Sequence, residues 1–98
     1  MGEKEFVDIG KFLVYDYINK RADGVEQPFV EFDDIFCVWL CKILQNNKGL
    51  FSTTIEGDMR YYEITFNGDN KEIYFDCYDK LENICYDKDA LSQYGIKV

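Results

Sequence analysis

The spacing of apolar residues changes along the chain, and each change marks an element. Over residues 3–20, Phe6, Ile9, Leu13 and Tyr17 follow the 3.6-residue period of one helix face, widened by Phe12, Val14 and Ile18. Glu3 and Glu5 suit the N-terminal end of that helix, and Lys20 and Arg21 the C-terminal end. Asp23-Gly24 stops it and Pro28 marks a connector. Residues 35–44, IFCVWLCKIL, are apolar on both faces, which fits a central strand or a buried helix. Ile35, Phe36, Val38 and Trp39 favour the strand. Gln45-Asn46-Asn47-Lys48-Gly49 reads as a turn, and Leu50–Ile55 as the returning strand of a hairpin.

Glu56-Gly57-Asp58 turns the chain again. Arg60–Phe66 then alternates, with Tyr62, Ile64 and Phe66 on one face and Tyr61, Glu63 and Thr65 on the other. Asn67-Gly68-Asp69 is a hairpin signal, because Asn and Gly accept positive φ, and residues 71–75 supply a fourth strand. From Asp76 the period lengthens. Cys77, Leu81, Ile84 and Cys85 recur at helical spacing, so a helix is expected to about Tyr86 with Asp76 as its N-cap. Asp89–Tyr94 adds a short helical turn closed by Gly95. The expected fold is α+β, in a single domain over residues 1–98. It has an N-terminal helix, a four-stranded antiparallel meander, and a C-terminal helix packed on one sheet face.

Composition narrows the function. The 98 residues carry 19 acids, 11 bases and no histidine, for a formal charge of −8. That balance argues against direct binding of nucleic acid by phosphate neutralisation. No apolar run approaches the ~20 residues of a membrane helix, and the polar start Met1–Lys4 does not resemble a secretory signal. The charge is also divided. Residues 1–34 hold nine acids, residues 35–55 none, and residues 56–98 ten. The acid-free window is either the sheet core, where an unpaired carboxylate is expensive, or an apolar binding face bordered by acid. Eight Tyr, eight Phe and one Trp exceed what a small core needs, so some tyrosines are expected at the surface, where they serve well as contact residues.

Parts for catalysis are scarce. Without histidine there is no Ser/His or Cys/His pair. No phosphate-binding glycine loop occurs, and Asp33-Asp34 or Asp76 with Asp79 lack the spaced oxygen donors of a calcium loop. Neither an enzyme, a cofactor nor a metal site is therefore expected. Cys37 and Cys41 on a strand would lie about 13 Å apart, and Cys77 and Cys85 on a helix about 12 Å. Reduced thiols are the default, with a long-range pair such as Cys41 and Cys77 left open.

The acids remain. On a helix, Asp76, Asp79 and Glu82 would be neighbours spaced by three residues, about 5–6 Å apart. With a two-residue turn at Asn67-Gly68, Glu63 would face Glu72 across the hairpin, at a cost unless something basic covers them. Such a surface can imitate DNA and occupy a basic channel. The polar run Gln45-Asn46-Asn47-Lys48 offers a contact loop at a hairpin tip.

A set of short motifs then carries a resemblance. They are Asp33-Asp34, Val38-Trp39-Leu40-Cys41-Lys42, Leu44-Gln45-Asn46 followed by Lys48, and Leu50-x-Ser52-Thr53-Thr54. Tyr61-Tyr62-Glu63-Ile64-Thr65, Asn67-Gly68-Asp69 and Tyr78-x-Lys80-x-Glu82-Asn83 follow in order. From Asp33 to Cys85 the chain resembles a family of small uncharacterised proteins from phages and prophages of low-GC Gram-positive bacteria, classed as a domain of unknown function. Leu81 stands where that pattern has an aromatic, and Gly49 where it has a small aliphatic residue. The resemblance implies a phage accessory protein in the bacterial host cytoplasm and transfers no activity.

The resulting expectation is a protein that binds a basic host protein, as an anti-CRISPR-like inhibitor of a defence or nucleic-acid enzyme. Glu63, Glu72, Asp76 and Asp79 would face the partner, with Gln45, Asn46, Lys48 and Tyr61 as further contacts. The alternatives are a nucleotide-binding module and a virion assembly factor. The first would have a pocket between sheet and helix lined by Trp39, tyrosines and Lys42 or Lys48.

Overall fold

The computed structural model describes residues 1–21, 30–58, 60–79, 81–82 and 84–98. The expected stop at Asp23-Gly24 and the connector at Pro28 lie outside the described residues. Helix α1 spans Glu3–Arg21, and a single 3₁₀ turn, Phe32–Asp34, leads into the sheet. Strands β1 (Ile35–Ile43), β2 (Asn46–Thr53), β3 (Arg60–Asn67) and β4 (Glu72–Asp79) form one antiparallel sheet in chain order. A short helix, α2 (Lys88–Gln93), follows. The α+β class and the four-stranded meander are therefore as the sequence predicts.

Helix α1 covers one sheet face, over β1 and β2. Its buried line is Phe6, Gly10 and Val14, at i, i+4 and i+8. Ile9 is only half-buried and Phe12 is exposed, so the axis differs from the one expected at Phe6, Ile9, Leu13 and Tyr17. The reason is Phe51. A Cβ built on Gly10 would lie 2.7 Å from Phe51 Cε1, so only glycine admits the ring at that point of the helix. Gly49 admits it from the sheet side, because a Cβ there would meet Phe6 Cε2 at 3.0 Å and Phe51 Cε1 at 3.1 Å. Phe6 and Phe51 pack with ring centroids 6.4 Å apart. Ile35, Val30, Tyr62 and Ile64 complete the core.

Further along α1, Tyr17 holds the other half of the sheet. Its ring lies 4.8 Å from Phe75 and 6.0 Å from Tyr62. At the β2–β3 connection, Asp58 accepts hydrogen bonds from Thr53 Oγ1 at 2.6 Å, Arg60 N at 3.1 Å and Tyr62 Oη at 3.5 Å. Asp34 does similar work at the other turn, accepting from Glu31 N at 3.0 Å and Thr54 Oγ1 at 3.3 Å. That fixes Asp34 as a structural residue.

Three boundaries differ from expectation. The first turn is Leu44-Gln45, with Ile43 opposite Asn46, so Asn46–Gly49 lie inside β2. Side chains 47, 49, 51 and 53 must point under α1, and that core register places the turn at Leu44, which takes a φ of +56°. The last hairpin has a four-residue loop, Gly68–Lys71, with Asn67 opposite Glu72 and Lys71 at positive φ. Finally, Asp76–Asp79 are strand. Phe75 and Cys77 alternate toward α1 and pair with Ile64 and Tyr62, so ladder hydrogen bonds and burial outweigh the helical spacing. Asp87, not Asp76, caps the C-terminal helix by accepting from Ala90 N at 2.9 Å, and Gly95 at φ +77° closes it as expected. No residue of α2 is buried, and Leu81, before it, is 93% exposed.

Two stability predictions follow from this packing. Gly10→Ala should lower stability by about 1–3 kcal/mol in urea unfolding, from the overpacking against Phe51. A stabilised variant, as helix propensity alone would give, would contradict the packing. Tyr62 is fully buried, and burial together with Asp58 pushes its phenol well above the ordinary tyrosine value. The native phenol then keeps its proton where the unfolded one releases it. Stability is intact below the unfolded pKa, about 10, and falls as pH rises beyond it. In Tyr62→Phe, urea midpoints measured across alkaline pH should fall less steeply than in the wild type, and an equal fall would assign the effect elsewhere.

Candidate functional site

Strand alternation divides every sheet residue between the face under α1 and the face opposite it. A bulge decides the outcome on β1. The register shifts between Cys37 and Trp39, so Ile35, Cys37 and Leu40 point toward the helix while Phe36 and Trp39 point away. The open face is therefore built from Phe36, Trp39, Cys41 and Ile43 of β1 and Asn46, Lys48, Leu50 and Ser52 of β2. Tyr61, Glu63, Thr65 and Asn67 of β3 and Glu72, Tyr74, Asp76 and Tyr78 of β4 complete it.

Read across the strands, one row runs Trp39, Leu50, Glu63, Asp76. Its first half is apolar and its second half acidic. Trp39 is exposed, and so are Phe36 and Ile43 of the same strand face. On the other half Tyr61 pairs with Tyr78, and Tyr74 with Thr65. Lys48 Nζ lies 3.4 Å from Glu63 Oε1, which offsets one carboxylate. Among the described residues, Glu72 and Asp76 have no basic partner. The field they make is visible on their neighbours. The phenol of Tyr74 is raised above its ordinary value by its hydrogen bond to Glu72, and that of Tyr78 by the charges of Glu63 and Asp76.

The expected site residues thus fall into three groups. Glu63, Glu72, Asp76, Tyr61 and Lys48 share the open face. Asp79 does not, because it is an odd number of residues from Asp76 and points to the α1 side opposite Arg60. The helical row Asp76, Asp79, Glu82 does not form, and Glu63 faces Asp76 directly instead of Glu72, since the loop is two residues longer than expected. Gln45 and Asn46 sit where the two hairpin tips meet. Gly68 N donates to Asn46 Oδ1 at 3.0 Å, and a Cβ on Gly68 would lie 2.6 Å from Gln45 Cβ. They latch the tips together.

Trp39, Lys42 and Lys48 do not line a common pocket. Trp39 and Lys48 are on the open face, and Lys42 reaches round to donate to Met1 O at 3.1 Å. The bulge at Val38 puts Trp39 on the open face, since plain alternation from Ile35 would send it under the helix, and alternation after the bulge puts Lys42 on the other side. A cleft of about 260 Å³ does open elsewhere, between α1 and β4, lined by Leu13, Asp16, Tyr17, Lys20, Arg21 and Phe75. All four cysteines are free, and Cys41 and Cys77 point to opposite faces. Burial pushes the Cys37 thiol up, away from the reactive thiolate. Among the described residues, no three Cys, Asp or Glu side chains gather as a metal site, and no helix is long and apolar enough to cross a membrane.

Phe36 and Leu50 enter this face from the acid-free window, and Tyr74 and Tyr78 are members that sequence reasoning did not single out. The last two were within reach, because Glu72, Tyr74, Asp76 and Tyr78 alternate strictly with Ile73, Phe75 and Cys77. The single tryptophan reports on the arrangement. Trp39 is 43% exposed, so its emission should be red-shifted, readily quenched by acrylamide and little changed on unfolding. A blue-shifted, protected emission would place it inside.

Comparison with known proteins adds one finding. No curated protein and no solved structure matches the chain. A family model does match, over residues 7–88, and it is described as a family of unknown function, DUF6275. With that match spanning most of its length, the chain belongs to the DUF6275 family.

Proposed function

We propose that the protein is a non-catalytic binding protein that engages a basic surface of another protein through its open sheet face. One observation carries this. Three carboxylates, Glu63, Glu72 and Asp76, stand on a face with three exposed tyrosines and an exposed tryptophan, and among the described residues only Glu63 has a cationic neighbour. Carboxylates placed on adjacent strands repel each other, and a basic partner relieves that cost. The aromatic side chains supply contact area with few rotors to freeze.

Enzymes that act on nucleic acid carry basic channels of this complementary sign. The phage resemblance of the motifs makes such a host enzyme the partner class we favour, with inhibition by occupancy of the channel as the outcome and the host cytoplasm as the place. The acids act through charge and through the apolar half beside them, since the helical spacing that would copy a phosphate row is not present.

The test is affinity capture from host lysate at low salt, followed by binding measurements on the captured partner. Affinity should fall on the order of tenfold when salt is raised to screen the pair. The E63Q/E72Q/D76N variant should lose a similar amount, while D79N, on the other face, should bind like the wild type. Binding that ignores salt and all of these substitutions would remove the proposal.

A further inference from the structure

Strand β4 is the outer strand on the acidic side, and its two faces differ. Toward the open face it presents Glu72, Tyr74, Asp76 and Tyr78, all exposed. Toward the α1 side it presents Ile73, which is exposed, Phe75 and Cys77, which are half-buried, and the exposed Asp79 at its end. Helix α1 rests mainly on β1 and β2, and among the described residues Tyr17 is the aromatic side chain of α1 that reaches this side of β4, at Phe75. Among the described residues, no hydrogen bond from a turn, loop or cap reaches the backbone of β4. Among the described residues, the outward N–H and C=O groups, carried by alternate residues of this eight-residue strand, thus have no backbone partner.

Proteins usually blunt such an edge with lysine, proline or a bulge. Glu72–Asp79 contains no lysine and no proline, and its register with β3 runs without a break. What it carries is acid. Acid discourages pairing with a second copy, which brings the same carboxylates and the same net charge of −8. It does not discourage a strand of opposite charge.

We infer that β4 accepts a strand from its partner by edge addition, and that this strand alternates basic with apolar residues. Lys or Arg would stand opposite Glu72 and Asp76 on the open face, at the spacing of direct cross-strand pairs. The apolar residues between them would extend the row of Ile73, Phe75 and Cys77 on the α1 side. Backbone hydrogen bonds then supply affinity, and the alternating pockets supply selection. This inference rests on the reading of the open face as a surface for basic proteins, and adds a backbone geometry to it.

The probe is a short peptide alternating lysine and valine, compared with the same peptide methylated on alternate backbone nitrogens. Amide hydrogen exchange and affinity are measured on the whole protein. The parent peptide should slow exchange at alternate β4 amides, and methylation should cost about tenfold or more in affinity, the loss of roughly one net hydrogen bond. The E72Q/D76N variant should weaken the parent peptide by a similar factor. If the methylated peptide binds as well as the parent and both weaken on E63Q/E72Q/D76N, strand addition is wrong while the acidic-face reading stands. If both peptides bind wild type and variant alike, the two readings fall together. Protection at β1 instead of β4, or a β4-mediated dimer in the absence of peptide, would also overturn the inference.

Discussion

The ring of Phe51 is the fixed point of this structure. It fills the space between α1 and β2, and it can do so only because glycine stands above it at position 10 and beside it at position 49. That packing sets the height of the helix over the sheet. It also sets the register of the first hairpin, because shifting β2 by one residue would turn Phe51 out of the core and put a larger side chain where Gly49 lies. The turn must then fall at Leu44, an unfavourable residue for positive φ, although the more turn-prone Asn46-Asn47 follows at once. The strain at Leu44 is the local consequence of a tight core elsewhere.

The same registration governs the surface. With β2 locked, Phe36 faces the uncovered side by alternation from Ile35, and the extra residue at Val38 sends Trp39 there as well, opposite Leu50. The acid-free stretch of the sequence therefore serves both as core under α1 and as the apolar half of the open face. The acids of β3 and β4 border it. A partition of charge along the chain becomes a partition across the sheet, because a meander lays consecutive strands side by side.

The meander itself was legible from alternation, as in Arg60–Phe66, and the end of the last helix from the glycine at position 95. The N-terminal helix was legible from its apolar stripe, but its true axis was not. A glycine at the centre of a helix reads as a weakness in propensity, and its value appears only when the ring it accommodates is known. The bulge at Val38 has no local signature, and a shift of one residue reverses the face of every later side chain in the strand. Cys77 satisfied a helical and a strand period at once, and only its pairing with Tyr62 settled which applied. The charge geometry failed with it, since distances between acids depend on the element that carries them. What survived was the placement of Glu63 and Tyr61 on a polar face opposite Tyr62 and Ile64.

The placement of α1 also sets how the sheet comes apart. The helix grips β1 and β2 along its buried line, whereas β3 and β4 are tied to it mainly through the rings of Tyr17, Tyr62 and Phe75. Cooperative units with few buried contacts open at lower free energy than the rest of a domain. The outer strand β4, in which no residue is fully buried, is thus the part of the sheet that can yield first. A surface carried on a softer unit can adjust its twist to what it meets without disturbing the helix-bearing half.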